Sequence, residues 1–433
     1  MTPRLLFAAL FSGLLTLCGN TVFAQVKSSV FYDKDSVKHK AQVEEVLKGM
    51  SVRQKVAQLF VISISRNPSD ATRARQDSLI RDYGVGNIII MKGSIYEFIE
   101  RANYLQSLAK VPLLVATDAE WGAAMRFDEY LPYPRQAQLG RIESGAEKLL
   151  YKMGRNVARE LIDLNILVNY APVADVAPDD PGAYSQRAFS TDPKQISVLA
   201  TAYMKGMQDE GIYACGKHYP GHGGSLVDAH IDMPILNNSR AYMDSVDLYP
   251  YYSMFANGLE MVMVGHYSVP AIDPSGNPTS ISPILMNEVL RRDQGFKGVV
   301  ITDAVAMGGL TNKNRGPVEA TMAVYKAGAD MILMTEMPRQ CIEAITEKVE
   351  TGEWPMEELD AKVRNVLMLK ARAGFFEKGF DPQVRNLDKK IAAAKKRDYR
   401  LIKKMQRKML KSKKPFLAPV GDDKTLILDK AGK

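Results

Sequence analysis

The sequence Gly211-Ile212-Tyr213-Ala214-Cys215 is a short apolar run that leads into Lys217-His218-Tyr219-Pro220-Gly221-His222-Gly223-Gly224. A short apolar run of this kind is typical of a buried β-strand, and the glycine-rich stretch after it is typical of a loop. Three of the five histidines in the chain lie between residues 217 and 230. Because histidine titrates near neutral pH, this clustering indicates a functional loop at the end of a rigid strand.

The same pattern of an apolar run recurs along the chain, and stretches with helical periodicity separate the runs. The eight runs are Leu59–Ile64, Val85–Met91, Pro112–Thr117, Ile166–Ala174, Ile212–Cys215, Met261–Gly265, Val299–Thr302 and Met331–Met334. Near-continuous apolar strands that alternate with helices indicate parallel strands covered on both faces. The pattern therefore predicts an α/β fold of the (β/α)8 TIM-like barrel type, with a doubly wound open sheet as the alternative.

Explicit start signals mark several of the predicted helices. Ser51-Val52-Arg53-Gln54 has the spacing of a capping box. Asp192-Pro193 and Ser282-Pro283 each place a capping side chain before a proline at the first helical position. The helical periodicity itself covers Arg73–Tyr83, Tyr96–Leu108, Glu147–Leu161 and Pro193–Gln208.

Polar side chains stand where several of the apolar runs end. They are Asp118 and Glu120 after the third run, Lys217 and His218 after the fifth, His266 after the sixth and Asp303 after the seventh. In a parallel barrel the carboxyl ends of all strands meet at one rim, where enzymes of this architecture carry their chemistry. The sequence therefore predicts a single site at that rim.

The amino terminus has the features of an export signal over residues 1–24. Arg4 precedes an apolar core from Leu5 to Leu17, and Val22-Phe23-Ala24 forms a small-residue cleavage site. We expect a secreted or periplasmic protein, with a lipid-modified Cys18 as the alternative. Residues 25–44 form a polar lead-in to a barrel over residues 45–375.

The net charge of +8 is concentrated near the carboxyl terminus, because residues 389–414 hold thirteen Lys or Arg and one acid, Asp398. Helical periodicity over residues 389–411 leaves an apolar stripe formed by Ile391, Ala394, Leu401, Ile402, Met405 and Met409. We interpret residues 376–433 as a basic helical tail or linker that begins a truncated second domain. The basic residues fit a solvated helix face, since no aromatic ladder or reading motif accompanies them, and nucleic-acid binding is not expected.

Other features narrow the class of protein. After the export signal no uninterrupted apolar segment reaches the length of a membrane span, so none is expected. Cys215 and Cys341 lie in apolar surroundings and are expected to be buried free thiols, although one disulfide is possible.

The motifs at the predicted rim resemble those of glycoside hydrolase family 3, and within it the β-N-acetylglucosaminidase branch with a histidine acid/base. The matching stretches are Lys217–Gly223 with Asp228-Ala229-His230, Asn169–Asp175, Arg187-Ala188-Phe189 with Asp192-Pro193, and Ile301–Ala304 with Met307. They occur in the family's order and cover roughly residues 45 to 375.

The resemblance implies a retaining exo-β-N-acetylglucosaminidase that acts on peptidoglycan fragments or other amino-sugar glycans through a covalent glycosyl-aspartate. Asp303 would be the nucleophile and His230 the proton donor, with Asp228 holding the imidazole as a carboxylate does in a hydrolase triad. The implied sugar-binding residues are Asp118, Arg187, Lys217 and His218. No cofactor or metal is implied, and a monomer is expected.

One departure from the family pattern concerns the stretch after the third strand, which reads Asp118-Ala119-Glu120-Trp121-Gly122-Ala123-Ala124-Met125-Arg126-Phe127. The family places a pair of glycines after the glutamate. Here Trp121 would bring an indole near the sugar site and Arg126 would add a cation, which leaves the aglycone preference open.

Four alternatives remain at this stage. A family 3 β-glucosidase, an N-acetylglucosamine phosphorylase and an inactive sugar-binding barrel share the same fold. A metal-dependent hydrolase would draw on His218, His222, Asp228, His230 and Asp232, but none of these lies on a predicted helix with the spacing of zinc proteases. His222 is expected to shape the loop, and His266 to be a hydrogen-bonded residue at the end of its strand.

Overall fold

The computed structural model describes residues 35–64, 68–177, 186–222, 233–311 and 315–414. Eight parallel strands form one sheet in which each strand pairs with the next along the chain. The strands are β1 Phe60–Ile64, β2 Asn87–Ile90, β3 Leu114–Thr117, β4 Val168–Asn169, β5 Tyr213–Tyr219, β6 Met261–Val264, β7 Val299–Thr302 and β8 Ile332–Leu333.

The sheet closes on itself. β8 pairs with β1 through Phe60 and Ile332. On its other side, the Thr302 N–H donates to Met331 O at 3.2 Å, and the Met331 N–H donates to Val300 O at 3.0 Å. An open doubly wound sheet has two free edges, whereas here every strand has a neighbour on both sides. The predicted (β/α)8 barrel is therefore confirmed.

Helices surround the strands. The α-helices are α1 Ser36–Lys48, α2 Val52–Ala57, α3 Asp70–Ser78, α4 Ile95–Leu108, α5 Gln136–Leu139, α6 Ala146–Ile162, α7 Pro193–Gln208, α8 Arg240–Ser245, α9 Tyr249–Ala256, α10 Pro317–Ala327, α11 Pro338–Glu350, α12 Met356–Arg372 and α13 Leu387–Leu410. Two further segments are π-helices: Leu79–Tyr83, which continues α3, and Ile284–Asp293, which lies between β6 and β7. No helix in these described ranges combines the length and apolarity that a bilayer crossing requires.

The predicted helix starts agree with the structure. The Gln54 N–H donates to Ser51 Oγ at 3.3 Å, and the Ser51 N–H donates to Gln54 Oε1 at 2.9 Å, so the capping box is complete. Asp192 Oδ1 accepts the Lys194 N–H at 2.9 Å, directly before Pro193. Both caps satisfy N–H groups that a helix leaves unpaired at its first turn.

The boundaries of β4 and β5 differ from the sequence-based expectation. β5 continues through Lys217 and His218 to Tyr219, because Lys217 donates its N–H to Pro172 O at 3.0 Å and its carbonyl accepts the Ala174 N–H at 2.6 Å. These polar residues therefore belong to the barrel wall and not to the loop. β4 covers only Val168–Asn169 of the predicted Ile166–Ala174, and Val173 forms a separate parallel bridge with Lys217.

Cys215, Cys341 and Lys370 are buried within the described part of the barrel. Cys215 and Cys341 are both buried and free, which confirms the prediction of buried thiols. At the amino end of the strands the Lys370 ammonium donates to Gln58 Oε1 at 2.8 Å and to Gly86 O at 2.9 Å. Burial lowers the pKa of Lys370 from 10.5 to about 7.

The basic tail helix α13 lies against the outer wall of the barrel, in contact with α6. The predicted apolar stripe faces inward, and all its members are buried except Leu401, which is half-buried. Lysines outside the stripe bind the barrel too: Lys390 Nζ donates to Asp163 O at 2.7 Å and Lys408 Nζ donates to Ser144 O at 2.6 Å. The division of the chain at residue 376 remains a prediction.

A buried carboxyl pair joins the tail helix to the wall. Asp398, fully inside this interface, accepts hydrogen bonds from Tyr133 Oη at 2.8 Å and Arg397 Nε at 3.0 Å. Glu160 on α6 lies beside Asp398, and its Oε2 accepts the Ala123 N–H at 2.9 Å. Burial, followed by the charge of Asp398, raises the pKa of Glu160 well above 4.5, which favours the protonated form of this carboxyl.

Substituting Glu160 tests this pair. A carboxyl whose pKa folding raises binds its proton more tightly in the native state, so its contribution to stability is complete below pH 4.5 and declines as the pH rises. Glu160→Gln keeps an oxygen that can accept the Ala123 N–H and has no titrating proton. Its free energy of unfolding should therefore depend less on pH than that of the wild type as the pH rises above 4.5.

Glu160→Ala is the matched comparison, because it leaves the Ala123 N–H without a partner and opens a cavity. We expect it to lower the free energy of unfolding by about 2–4 kcal/mol in urea denaturation. Equal losses of unfolding free energy in the glutamine and alanine variants would contradict the role of Glu160 as hydrogen-bond acceptor. An unchanged pH dependence in Glu160→Gln would contradict its raised pKa.

Candidate active site

The structure brings the four predicted binding residues together at the carboxyl end of the barrel. Asp118 follows β3, Lys217 and His218 lie in the last residues of β5, and Arg187 enters from the connection after β4. Hydrogen bonds link them into one network. The expectation that the strand ends share a site at one rim therefore holds for these residues.

Lys217 is the centre of this network. Its ammonium donates to Asp118 Oδ1 at 2.6 Å and lies 2.8 Å from Glu120 Oε1, so two carboxylates from the turn after β3 share one cation from β5. Lys217 is 2% exposed and Glu120 is completely buried. Asp118 also pairs with the Arg126 guanidinium, which the sequence had suggested only as an added cation.

Glu120 links Lys217 to Arg187. The Arg187 guanidinium donates through Nη2 to Glu120 Oε1 at 2.6 Å and through Nε to Oε2 at 3.1 Å, which is the two-pronged geometry of a strong ion pair. Burial alone would raise the pKa of Glu120, but the charges of Arg187 and Lys217 outweigh burial and hold it far below 4.5. Glu120 is therefore ionised at every pH at which the protein is expected to function.

His218 is oriented by a carboxylate that the sequence-based prediction did not single out. Its Nδ1 lies 2.8 Å from Asp175 Oδ2, and the backbone N–H groups of His218 and His222 both donate to Asp175 Oδ1 at 3.0 Å. Burial opposes ionisation of Asp175, but the neighbouring imidazole of His218 lowers its pKa to about 2. The pairing places a proton on Nδ1 and leaves Nε2 directed towards Arg187, at 3.5 Å from Nη2.

Asp303 lies directly after β7, as predicted. Its N–H donates to Val264 O at 2.8 Å, and its Oδ1 accepts the Ala304 N–H at 2.8 Å, so both backbone and carboxylate are held at the strand end. The side chain is half-exposed. No hydrogen bond from the described residues reaches Oδ2.

Asp303 lies within electrostatic range of the Cys215 thiol, as do Lys217 and Asp118 of the network. Burial raises the pKa of Cys215, and the charges of Lys217, Asp118 and Asp303 all act on it. Cys215 lies on the same strand as Lys217 and is completely buried. Asp303 therefore stands across the barrel mouth from Asp118 and Lys217, within electrostatic range of the same buried atom.

The two other histidines of this region have structural environments. His266 Nδ1 accepts a hydrogen bond from Ser280 Oγ at 2.7 Å and its Nε2 donates to Ala304 O at 3.0 Å, and burial lowers its pKa. This confirms a hydrogen-bonded strand-end histidine, which also supports the backbone beside Asp303. His222 is buried with its ring edge-to-face against Tyr267, at 5.1 Å between centroids.

Two predicted catalytic residues, Asp228 and His230, lie outside the described residues, as does Asp232. Within the described ranges no group of three or more His, Cys, Asp or Glu is arranged to hold a metal ion. Asp175 and Glu120 could have been found from the sequence. Glu120 follows Asp118 by two residues at a strand end, and Asp175 ends a run of apolar residues in the fourth unit.

A family model and the curated relatives assign the chain to one family of glycosyl hydrolases. The model of the glycosyl hydrolase family 3 N-terminal domain matches residues 51–369. A beta-hexosaminidase of Nitrosospira multiformis is 32% identical over 262 residues, which span 59% of this chain and 74% of that protein. A beta-hexosaminidase of Neisseria meningitidis is 32% identical over 266 residues, covering 59% and 73%.

A solved structure agrees with the sequence relatives. The glycoside hydrolase family 3 beta-N-acetylglucosaminidase from Paenibacillus sp. str. FPU-7 superposes with a TM-score of 0.69 at 28% identity. The superposition covers 81% of this chain and 69% of that one.

The two carboxylates bound to Lys217 should respond differently to loss of their charge. Glu120→Gln leaves Lys217 and Arg187 short of one negative charge in a place that water does not reach, and we expect a loss of about 3–5 kcal/mol in the free energy of unfolding. Asp118 is 15% exposed, so water can replace part of its charge. Asp118→Asn should therefore cost less, and an equal or larger loss in urea denaturation would contradict the assignment of Glu120 as the structural partner.

Proposed function

Because this chain belongs to glycosyl hydrolase family 3, we propose that it is a β-N-acetylglucosaminidase that removes terminal β-linked N-acetylglucosamine from glycans. One observation carries the proposal beyond family membership. A half-exposed carboxylate, Asp303, stands at the same barrel mouth as a buried ion network that ends in Asp118, Arg187 and His218.

The network supplies the groups that a neutral sugar needs. Hydroxyl groups bind best to ionised donors and acceptors held in fixed positions, because charge-assisted hydrogen bonds are the stronger ones. Asp118 offers carboxylate oxygens held by Lys217 and Arg126. Arg187, held by Glu120, offers N–H donors, and His218, held by Asp175, offers a ring nitrogen. In this proposal Asp118, Arg187, Lys217 and His218 grip the ring hydroxyls and the acetamido group.

Asp303 is the proposed nucleophile. Its carboxylate oxygen forms a bond to the anomeric carbon while the bond to the leaving oxygen breaks, and a proton passes to that oxygen from His230. Water then gives a proton back to His230 and attacks the same carbon, which releases the aspartate and retains the anomeric configuration. Asp228 would hold the imidazole and stabilise its charged form, as the resemblance to the histidine branch implies.

A histidine donor suits this chemistry because the ordinary pKa of an imidazole lies near neutrality. The protein therefore does not have to shift that pKa far for the same side chain to act first as acid and then as base. We propose that the protein works without cofactor, as an exported monomer whose first 24 residues are removed.

Hydrolysis of a matched pair of nitrophenyl glycosides tests the proposal. The wild type should prefer the β-N-acetylglucosaminide to the β-glucoside. Asp303→Asn should lower kcat on the preferred substrate by about a thousandfold or more, since no glycosyl-enzyme can form. His39→Asn, on helix α1 and outside the network at the barrel mouth, is the control and should match the wild type.

His230→Asn should behave differently from Asp303→Asn. Nitrophenol leaves without much help from a proton, so the first step survives, but the second step lacks its base and the glycosyl-enzyme accumulates. Mass spectrometry should then find one N-acetylglucosaminyl adduct on the peptide that contains Asp303, and added azide should restore turnover. Preference for the β-glucoside, or full activity of Asp303→Asn, would overturn the proposed function.

A further inference from the structure

A groove with basic walls lies on the outer surface of the barrel, between α6 and the tail helix α13. It has a volume of about 300 Å³ and is lined by six basic side chains together with Asn156 and Leu401. The six are Lys152, Arg155 and Arg159 on α6 and Arg397, Arg400 and Lys404 on α13. None of them belongs to the network at the barrel mouth, so this basic groove is separate from the candidate active site.

The two walls carry the same pattern of basic residues. On each helix they stand at positions i, i+3 and i+7, which lie on one face of an α-helix. At a rise of about 1.5 Å per residue, the three positions of each wall extend over about 10 Å. The groove is therefore a short channel with three cations along each side.

Contacts between the two helices hold the walls in place. Arg397 donates through Nη2 to Asn156 O at 3.2 Å, from one helix to the other, and pairs through Nε with the buried Asp398 at 3.0 Å. Ile402 and Met405 of α13 are buried on the side that packs against the barrel. The groove is thus formed by the folded chain itself, which lowers the entropy that binding would otherwise cost.

Carboxylates of the described residues balance only part of this positive charge. Glu210 is shared by two arginines, since its oxygens lie 2.5 Å from Arg155 Nε and 2.9 Å from Arg159 Nε. Within the described ranges no carboxylate lies within ion-pair distance of the three remaining cations, which are exposed: Lys152, Arg400 and Lys404. Like charges along one groove repel one another, and an anion bound between them relieves that repulsion.

The shape and charge of the groove fit a chain that carries negative charge in its backbone. A backbone phosphodiester has two non-bridging oxygens, so a chain lying along the groove can accept charge-assisted hydrogen bonds from both walls. The carboxylates of an extended acidic peptide stand at the ends of side chains and alternate between its two sides. Arginine, which supplies four of the six cations, suits phosphate oxygens because its N–H groups form a planar fork.

The lining of the groove distinguishes among phosphodiester chains. Proteins that bind single-stranded nucleic acids add aromatic side chains on which the bases stack, and none of the described residues that line this groove is aromatic. We propose that the basic groove binds a linear alditol phosphate polymer, in which small polyols such as glycerol are joined by phosphodiesters. Consecutive phosphates of such a chain can meet cations that stand about 5 Å apart along each wall. The inference is independent of the proposed function, since no residue of the groove takes part in that reaction.

The length of the groove can be tested with synthetic glycerol phosphate oligomers of one, two, three and six units. Each carries a fluorescent label, and its binding to the wild type is measured by fluorescence anisotropy at one salt concentration. Because each wall offers three cations, the affinity should rise about tenfold or more from one unit to three, and about fivefold or less from three units to six. An affinity that climbs as steeply from three units to six, or no binding of the six-unit oligomer, would contradict a groove of this length.

Two double variants with the same change of charge separate the groove from the rest of the tail helix. Arg400→Gln/Lys404→Gln removes two cations that line the groove, and Lys395→Gln/Lys396→Gln removes two exposed cations of the same helix that do not. The first should weaken binding of the three-unit oligomer about tenfold or more and reduce the dependence of log Kd on log salt by about one. The second should stay within about threefold of the wild type, because exposed charges outside the groove are largely screened by salt. Equal weakening by both would show that binding follows net charge, and the groove would be wrong.

Two other chains with six negative charges test the kind of partner. Hexathymidylate with a terminal phosphate carries its phosphodiesters with bases attached, and hexaglutamate carries its charges as side-chain carboxylates. Both should bind about tenfold more weakly than the six-unit glycerol phosphate, and equal or tighter binding of either would overturn the assignment of the partner.

Thermal unfolding and hydrolysis of the nitrophenyl β-N-acetylglucosaminide should be the same in both double variants as in the wild type, since all four substituted residues are exposed and lie outside the barrel mouth. A wild type that binds the oligomers but does not hydrolyse this glycoside would contradict the proposed function and leave the groove in place.

Discussion

The active-site end of the barrel depends on one buried charge, the ammonium of Lys217. Placing a cation where only 2% of the residue is exposed is unfavourable unless carboxylates surround it, and here Asp118 and Glu120 approach from β3 across the intervening strand β4. Because Glu120 is itself completely buried, it needs Arg187 as a second partner. The connections after β3 and β4 are thereby fixed to strand β5.

The turn after β3 lies between two such buried clusters. At one end Glu120 belongs to the ion network of the barrel mouth. At the other end the Ala123 N–H donates to Glu160, which lies beside Asp398 of the tail helix. Trp121 stands between these anchors. The tail helix is thus connected, through buried polar groups, to the part of the rim where the sequence departs from its family.

The fold was largely readable from the sequence because it follows from hydrophobic periodicity, which is a local property. All eight predicted strands exist, and the helix Pro193–Gln208 has the predicted bounds. The prediction was wrong at the end of β5, where Lys217 and His218 were assigned to a loop. Polarity normally indicates exposure, but here hydrogen bonds to the neighbouring strand and carboxylates from elsewhere in the chain keep these residues inside the wall.

Residue type and order were enough to predict the barrel, the rim that carries polar groups and the family to which the motifs belong, because each is a pattern along the chain. Which charges neutralise each other depends on the folded chain. Asp175 orients His218 from 43 positions away and Asp398 meets Tyr133 from 265 positions away, and no local pattern encodes such pairs. Arg126 was expected only as an added cation, and its pairing with Asp118 became visible only in the assembled site, since electrostatic balance is a property of the folded chain.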